Sequence, residues 1–183
     1  MDLPDGLQLR LAAPADADAI QALMTASVAA IFPAFYDPEQ TASGLRYIGV
    51  LDLTLVEDGT YFLIEAPDGA LAACGGWSRR DKLFNGAQVT GVEARLLDPA
   101  TEPARVRAMF VHGDWTRRGL GTRILEACED AARAEGFTEL ALMATMPGLQ
   151  LYRSWGFGDE QPQELPMPDG VLVPGVAMSR RVT

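Results

Sequence analysis

The most constraining feature of the sequence is a strand, a glycine turn and a helix in direct succession. The run from Val106 to Val111 is apolar, aromatic and β-branched, which indicates a buried strand. From Leu120 onwards apolar residues recur at helical spacing, with charged residues on the other face. The turn between the two contains Gly119 and Gly121, and glycine lets a backbone approach a ligand closely. Since the first amides of a helix lack intrahelical partners and lie at the positive end of its dipole, this turn is a candidate anion-binding site.

Two common phosphate-binding turns do not match this one. A P-loop needs a longer glycine loop closed by Gly-Lys and then Ser or Thr, whereas Gly121 is followed directly by Thr122. A dinucleotide-binding fold needs a third glycine, where Ile124 stands. It also needs an acid at the carboxyl end of the next strand, whereas Glu139 lies at the start of that strand.

The third explanation is a family resemblance. The segment Gly119-Leu120-Gly121 resembles the pyrophosphate-binding segment of the GCN5-related N-acetyltransferases (GNAT family): Gln or Arg, two residues, Gly, one residue, then Gly or Ala. In this chain Thr116 occupies the first position, and two arginines follow it. A second segment, from Leu151 to Phe157, is similar to the family's Leu/Phe-Tyr-x-x-x-Gly-Phe, with Tyr152 as its tyrosine.

The resemblance implies an α/β fold with a GNAT-type mixed, largely antiparallel central sheet, helices on both faces and a splay between strands 4 and 5. A chain of 183 residues with 48% hydrophobic content can bury one sizeable core, so we expect a single domain over residues 1–183. The implied reaction transfers an acyl group, usually acetyl, from coenzyme A to an amine by direct attack in a ternary complex. Acetyl-CoA is the expected cosubstrate and a primary amine of a small molecule the expected acceptor. A non-catalytic acyl-CoA sensor or interaction module is the alternative.

The resemblance also assigns roles to particular residues. Tyr152 aligns with the tyrosine that serves as general acid to the departing thiolate in much of the family. The residues expected to bind the pantetheine arm and the pyrophosphate are Met109, Phe110, Val111, Arg117, Arg118, Gly119, Leu120, Gly121 and Thr122. The candidates for the acceptor pocket, each also explained by ordinary packing, are Phe32, Phe35, Tyr36 and Trp77.

The general base is not identified by the sequence. Many family members carry a glutamate on the strand before the glycine turn, whereas that strand here offers Arg105 and Arg107. His112 has a suitable intrinsic pKa, but it lies on the cofactor side of the motif and fits a surface or structural role as well. The remaining acids near predicted strand ends are Glu65, Glu93 and Glu102. With one histidine and no Cys-x-x-Cys, no metal site is predicted.

Charge is distributed unevenly along the chain, whose net charge is −10. Residues 1–70 hold two basic and eleven acidic side chains, whereas residues 105–123 hold five arginines and one acid, Asp114. Nucleic acid is therefore not an expected partner, while the arginine cluster suits a small polyphosphate. The acidic half favours a small cationic amine as acceptor, although a solvated acidic surface explains it equally well.

The sequence also gives expectations about location. No stretch approaches the roughly 20 uninterrupted apolar residues of a membrane span, and the chain start lacks the regions of a signal peptide. We therefore expect a cytoplasmic protein without membrane contact, in which Cys74 and Cys128 are reduced core thiols. Whether the chain forms a homodimer stays open.

Elements outside the glycine turn follow from local patterns. Alternation over residues 7–11 predicts a strand, and Pro14 and the acids after it predict a helix start. A hairpin is predicted around Pro67-Asp68-Gly69, and a terminal hairpin around Pro168-Asp169-Gly170. Residues 78–103 form a long connection, either a lid or an extra hairpin.

Overall fold

The computed structural model describes Leu3 and residues 6–82 and 94–182. The strands are β1 (Gln8–Leu11), β2 (Tyr61–Glu65), β3 (Leu71–Ser78), β4 (Ala104–Val111), β5 (Glu139–Thr145), β6 (Gly158–Pro166) and β7 (Leu172–Arg181). The helices are α1 (Ala17–Ile31), α2 (Pro38–Tyr47), α3 (Leu53–Glu57), α4 (Leu120–Ala134) and α5 (Leu149–Trp155). Of the predicted lid or hairpin over residues 78–103, residues 83–93 lie outside these described ranges.

The seven described strands form one mixed sheet in the order β1-β2-β3-β4-β5-β7-β6. Neighbouring strands are antiparallel except β4 and β5, which are parallel. Apolar residues of α4 and α5, such as Ile124 and Tyr152, pack in one core cluster, and those of α1 and α3, such as Met24 and Leu55, pack in a second. The sheet is therefore covered on both faces, which confirms the predicted fold class.

The β2–β3 hairpin forms where the turn residues predict it. The Gly69 N–H donates to the Ala66 carbonyl, and the Asp68 carboxylate accepts from the Ala70 N–H at 3.0 Å. A side chain on Gly76 in β3 would collide with the Thr60 carbonyl, so the glycine allows a close backbone approach there.

Helix α1 with its flanking 3-10 turns, Pro14–Ala34, is long and apolar enough to cross a membrane by length and composition alone. Its residues Ile20, Met24 and Val28 are 0% exposed, because they pack against the sheet. A buried core helix has this same composition, so the segment does not indicate a membrane protein.

Parallel pairing between β4 and β5 is short. It comprises only Ala104 opposite Leu140 and Arg105 opposite Ala141, and the two strands then diverge. The predicted splay between strands 4 and 5 is thereby confirmed.

On its other side β4 pairs with β3, and this pairing contains a bulge. The two residue steps from Cys74 to Gly76 in β3 lie opposite the three residue steps from Phe110 to Arg107 in β4. The extra residue of this bulge lies on β4.

Candidate active site

A cavity of about 70 Å³ lies where β4 and β5 diverge. It is lined by Ile48, Val106, Arg107, Ala108, Met109, Phe110, Met143, Thr145, Tyr152 and Leu165. Most of these side chains are apolar, and the ionisable groups in this lining are those of Arg107 and Tyr152. The cavity therefore combines an apolar wall with one cation and one phenol.

A hydrogen bond from Tyr61, a residue that the sequence does not single out, stabilises the bulge in β4. Ala108 has a positive φ of 52°, which is uncommon for a residue with a side chain. The Tyr61 hydroxyl donates to the Ala108 carbonyl at 2.7 Å, and Tyr61 itself is 0% exposed. Since Ala108 and Met109 line the cavity, this hydrogen bond helps to fix its wall. Only the tertiary structure reveals it, because 47 residues separate the two partners.

The glycine turn leads directly into α4. Gly119 is the N-cap residue of α4, has a left-handed φ of 78° and is exposed, and a Cβ there would meet no atom within 4 Å. Gly121 is buried, and a Cβ on it would lie 2.7 Å from Leu151 Cδ2 of α5. The two glycines therefore have different roles: Gly119 allows the turn, whereas Gly121 allows α4 and α5 to pack closely. Packing against Leu151 therefore explains the glycine at position 121 without a bound ligand.

The other residues of the turn differ in what they can offer a ligand. Leu120 is 1% exposed and packs in the core, so only its backbone can face a ligand. Arg117 and Arg118 are exposed, and the Arg118 guanidinium lies 4.7 Å from the centre of the Trp115 ring. Thr116, which replaces the expected Gln or Arg, donates its hydroxyl to the Gly113 carbonyl at 3.0 Å. It therefore stabilises the turn before α4.

Coenzyme A fits this donor set. The amides of Leu120, Gly121 and Thr122 belong to the first turn of α4, where helical geometry supplies no acceptor and the dipole is positive. Arginine side chains flank these amides, and Gly119 leaves the turn open. Such a set binds a pyrophosphate.

The three residues expected along the pantetheine arm differ in their exposure to the cavity. Met109 is half-buried and lines it, and Phe110 is buried but also lines it. Val111 pairs with Ala73 of β3 and does not belong to the lining. Among the described residues, the side of β4 that faces β5 has no strand partner beyond Arg105, so its backbone is available to an extended ligand.

Tyr152 lies on α5 and faces the cavity. Its ring packs edge-on against Phe157, with 5.9 Å between centroids, and the residue is 8% exposed. Within residues 6–82 and 94–182 its hydroxyl makes no hydrogen bond. Burial raises the pKa of Tyr152, so the hydroxyl stays protonated at neutral pH and is available as a donor.

The residues predicted for the acceptor pocket lie elsewhere in the described structure. Phe32 and Tyr36 pack together in the core beneath α1, and the Tyr36 hydroxyl donates to the Pro174 carbonyl at 2.9 Å and accepts from the Met146 N–H at 2.8 Å. Trp77 is 1% exposed and packs against Phe137 on the opposite face of the sheet. None of these three lines the cavity, whereas Phe35 is 53% exposed.

The candidate bases are engaged away from the cavity. The Nδ1 atom of His112 accepts from the Asp114 N–H at 3.3 Å, which closes a 3-10 turn. Glu65 pairs with Arg10, and Glu102 pairs with Arg95. Glu93 lies outside the described residues. The described cavity wall therefore provides no carboxylate or imidazole.

Arg107 occupies the β4 position where a base was sought. It is 5% exposed, and its Nη1 donates to Asp52 Oδ2 at 3.0 Å. Lys82 Nζ donates to the same oxygen at 2.9 Å. Burial alone would raise the pKa of Asp52, but the Lys82 hydrogen bond and the charge of Arg107 outweigh it and hold this pKa at about 2. Asp52 is thus ionised and a poor proton acceptor. The sequence does not single out Asp52, because the five-residue α3 that it caps gives too short a periodic signal.

Comparison with known proteins agrees with this geometry. The model of the acetyltransferase (GNAT) family matches residues 25–157. A search of curated proteins found no match. Among solved structures, the chain is similar to a GCN5-related N-acetyltransferase from Rhodopseudomonas palustris, with a TM-score of 0.70, 17% identity and coverage of 99% of this chain and 98% of that one.

Two further structures are similar at the level of the fold. PaiA N-acetyltransferase from Thermoplasma acidophilum, solved in complex with coenzyme A, gives a TM-score of 0.64 at 13% identity, over 96% of this chain and 98% of that one. Ard1 from Thermoplasma volcanium gives 0.62 at 12% identity, over 97% and 99%.

Proposed function

Because the chain belongs to the GNAT acetyltransferase family, we propose that it transfers an acetyl group from acetyl-CoA to a primary amine of a small molecule. The family uses acetyl-CoA as acyl donor. One observation carries the proposal: the cavity between β4 and β5 is lined by Tyr152 of α5 and by Met109 of β4, the strand that leads into the glycine turn. A donor and an acceptor could therefore meet there.

In this proposal the described residues bind and orient the two substrates. The amides at the start of α4 bind the pyrophosphate, with Arg117 and Arg118 beside it. The backbone of Met109 orients the pantetheine arm in the gap beside β4. When bound, acetyl-CoA supplies the thioester that the amine attacks. Holding both groups in one small cavity gives the rate advantage of proximity.

Tyr152 then acts on the departing sulfur. Its buried hydroxyl keeps its proton and donates a hydrogen bond as negative charge develops on the thiolate. The amine loses its proton to water, since the described cavity wall offers no carboxylate or imidazole. This assignment predicts direct attack without a covalent enzyme intermediate.

The same wall favours a second candidate function. A protein that lacks a base at the cavity could bind acyl-CoA as a sensor without turning it over. The two functions differ in whether free thiol is released.

Thiol release from acetyl-CoA, followed with a chromogenic thiol reagent across a panel of primary amines, tests the proposal. An acetyltransferase releases thiol only when an amine is present, and the product gains one acetyl group. A sensor binds acetyl-CoA in calorimetry but releases no thiol with any amine. Failure to bind acetyl-CoA would contradict both functions.

A further inference from the structure

We propose that Tyr36 is a positioning residue for acetyl transfer. Its hydroxyl fixes the turn against which the Tyr152 ring lies, and so sets the place from which the Tyr152 hydroxyl donates. This role rests on the proposed function, in which Tyr152 donates to the departing sulfur. Tyr36 packs in the core and does not line the cavity, so it acts on the reaction through Tyr152 and not by contact with a substrate.

The Tyr36 hydroxyl joins two strands beyond the end of their pairing. Antiparallel pairing of β5 with β7 ends with Thr145 opposite Gly175. The next residues along the two strands are Met146 and Pro174. The hydroxyl bridges them, because it accepts from the Met146 N–H at 2.8 Å and donates to the Pro174 carbonyl at 2.9 Å. It therefore extends the connection between β5 and β7 by one residue pair.

The Tyr36 side chain is itself held in place. It is 6% exposed, and its ring packs against Phe32 with 4.9 Å between the centroids. Burial raises the pKa of Tyr36, although the hydrogen bond from the Met146 N–H opposes this, so the hydroxyl keeps the proton that it donates. Removal of the hydroxyl would leave the Met146 N–H and the Pro174 carbonyl without these partners.

The segment that Tyr36 anchors is the 3-10 turn Met146–Gly148, which joins β5 to α5. Thr145 is the N-cap of this turn and Gly148 is the N-cap of α5, and neither makes a side-chain capping hydrogen bond. The first amide of the turn is instead bound by Tyr36, which is 110 residues away in the sequence. The position of the turn therefore depends on a contact from another part of the fold.

The turn lies directly against the Tyr152 ring. A Cβ on Gly148 would be 2.9 Å from Tyr152 Cε2 and 3.6 Å from Cζ, the atom that bears the hydroxyl. Residues four apart share one face of a helix, and long side chains point back towards its N-terminus, so the ring folds over Gly148. Phe157 also contacts the ring. A shift of the turn would therefore move the ring or loosen its packing, and the hydroxyl would move with it.

A double-mutant cycle tests the role of Tyr36. Thiol release from acetyl-CoA, with the fastest amine of the panel, is measured for the wild-type chain, Tyr36→Phe, Tyr152→Phe and the double variant. We expect Tyr36→Phe to lower kcat by about 10- to 100-fold, as a misplacement of about 1 Å can do, and to change KM for acetyl-CoA by less than about 3-fold. In the Tyr152→Phe background the same substitution should lower kcat by less than about 3-fold, because the donor that it positions has been removed.

The cycle distinguishes positioning from a general structural role. Equal losses of kcat in the two backgrounds would show that Tyr36 acts independently of Tyr152, and would overturn the inference. An unchanged kcat in Tyr36→Phe would overturn it as well. Tyr47→Phe is the matched control, because Tyr47 is half-buried and its hydroxyl makes no hydrogen bond within the described residues. It should leave kcat and KM unchanged.

A second variant reaches the Tyr152 ring from the turn and leaves Tyr36 in place, so the test stands even if Tyr36→Phe folds poorly. Gly148 has φ −83° and ψ −15°, which alanine also adopts, so Gly148→Ala changes the contact with the ring and not the backbone. We expect a lower kcat in the wild-type background and little further loss in Tyr152→Phe. Gly158→Ala is the control, since a Cβ there meets no atom within 4 Å. Full turnover in Gly148→Ala would contradict the inference.

The position of the Tyr152 ring can also be followed without turnover. The chain has four tyrosines, so each ¹³Cζ signal of the labelled protein in complex with coenzyme A can be assigned from its Phe variant. If no amine releases thiol from acetyl-CoA, the proposed function fails, and these spectra still test Tyr36. A Tyr152 signal that shifts in Tyr36→Phe and Gly148→Ala but not in Tyr47→Phe supports the inference. A Tyr152 signal unchanged in all three overturns it, even in an active acetyltransferase.

Discussion

Replacing Tyr61 by phenylalanine removes one hydroxyl from the core and leaves the ring in place. That hydroxyl donates to the Ala108 carbonyl at 2.7 Å, within the bulge in the pairing of β4 with β3. Tyr61 is 0% exposed, so water does not replace the lost donor without rearrangement of the core. The substitution therefore tests the hydrogen bond with little change in packing.

The expected loss of stability follows from the burial of Tyr61, whose hydrogen bond to the half-buried Ala108 is itself partly buried. An ordinary hydrogen bond contributes about 1 kcal/mol net, and a carbonyl that loses its donor without gaining a water costs about 1–3 kcal/mol. The free energy of unfolding of Tyr61→Phe should therefore fall by about 1–3 kcal/mol. With a urea slope of about 2 kcal/mol/M, the unfolding midpoint would fall by roughly 0.5–1.5 M.

The kinetic effect should accompany the loss of stability, because Ala108 and Met109 belong to the cavity wall. We expect kcat/KM for acetyl-CoA to fall by about 10-fold, as a small displacement of orienting groups would produce. Tyr47→Phe is the control, since Tyr47 is half-buried and its hydroxyl has no hydrogen bond within the described residues. An unchanged midpoint and unchanged kinetics in Tyr61→Phe would refute the role of the hydroxyl. Lower stability with normal kinetics would restrict that role to the core.

Three further outcomes are expected. Tyr152→Phe should lower turnover by about 10²–10⁴-fold with little change in acetyl-CoA affinity, and full turnover would exclude Tyr152 as the donor to the thiolate. Gly119→Asp should weaken acetyl-CoA binding in calorimetry more than Gly119→Asn, because both side chains tolerate the left-handed φ of 78° and only Asp repels the pyrophosphate. Equal affinities would place the pyrophosphate elsewhere. Since the pKa of Asp52 is about 2, below its unfolded value of about 3.9, its contribution to stability is present above pH ~4 and is lost as pH falls towards ~2. Urea unfolding of Asp52→Asn should accordingly show lower stability at neutral pH and a smaller loss over that acid range, and a loss equal to that of the wild-type chain would contradict the argument.

The local elements around the candidate site could be predicted because their signals are contained in short stretches. The periodicity of α4, the glycine turn before it and the Pro67-Asp68-Gly69 hairpin each depend on neighbouring residues, and the structure has them where the sequence places them. The splay between β4 and β5 was predictable only through the family resemblance. No local sequence pattern indicates that two strands pair at one end and diverge at the other.

Tertiary partners could not be predicted in the same way. The periodicity of α4 predicts that its charged residues are exposed, yet Glu129 is 4% exposed and accepts from Trp155 Nε1 at 2.9 Å and Arg180 Nη1 at 2.7 Å. Gly121 was explained by a ligand, whereas a side chain from α5 occupies the adjacent space. In both cases the deciding contact comes from another element, so helical periodicity alone gives no information on it.

Transfer of an isotopically labelled acetyl group tests the central claim most directly. The chain is incubated with labelled acetyl-CoA and the amine panel, and both the small molecules and the protein are examined by mass spectrometry. Cys74 and Cys128 are 0% exposed, and burial raises the pKa of the Cys74 thiol to about 12, so neither is suited to accept the acetyl group. Direct attack predicts label on an amine nitrogen, in equal amount to free coenzyme A, and none on the protein. Label on the protein, or intact acetyl-CoA after incubation with every amine, would contradict the account.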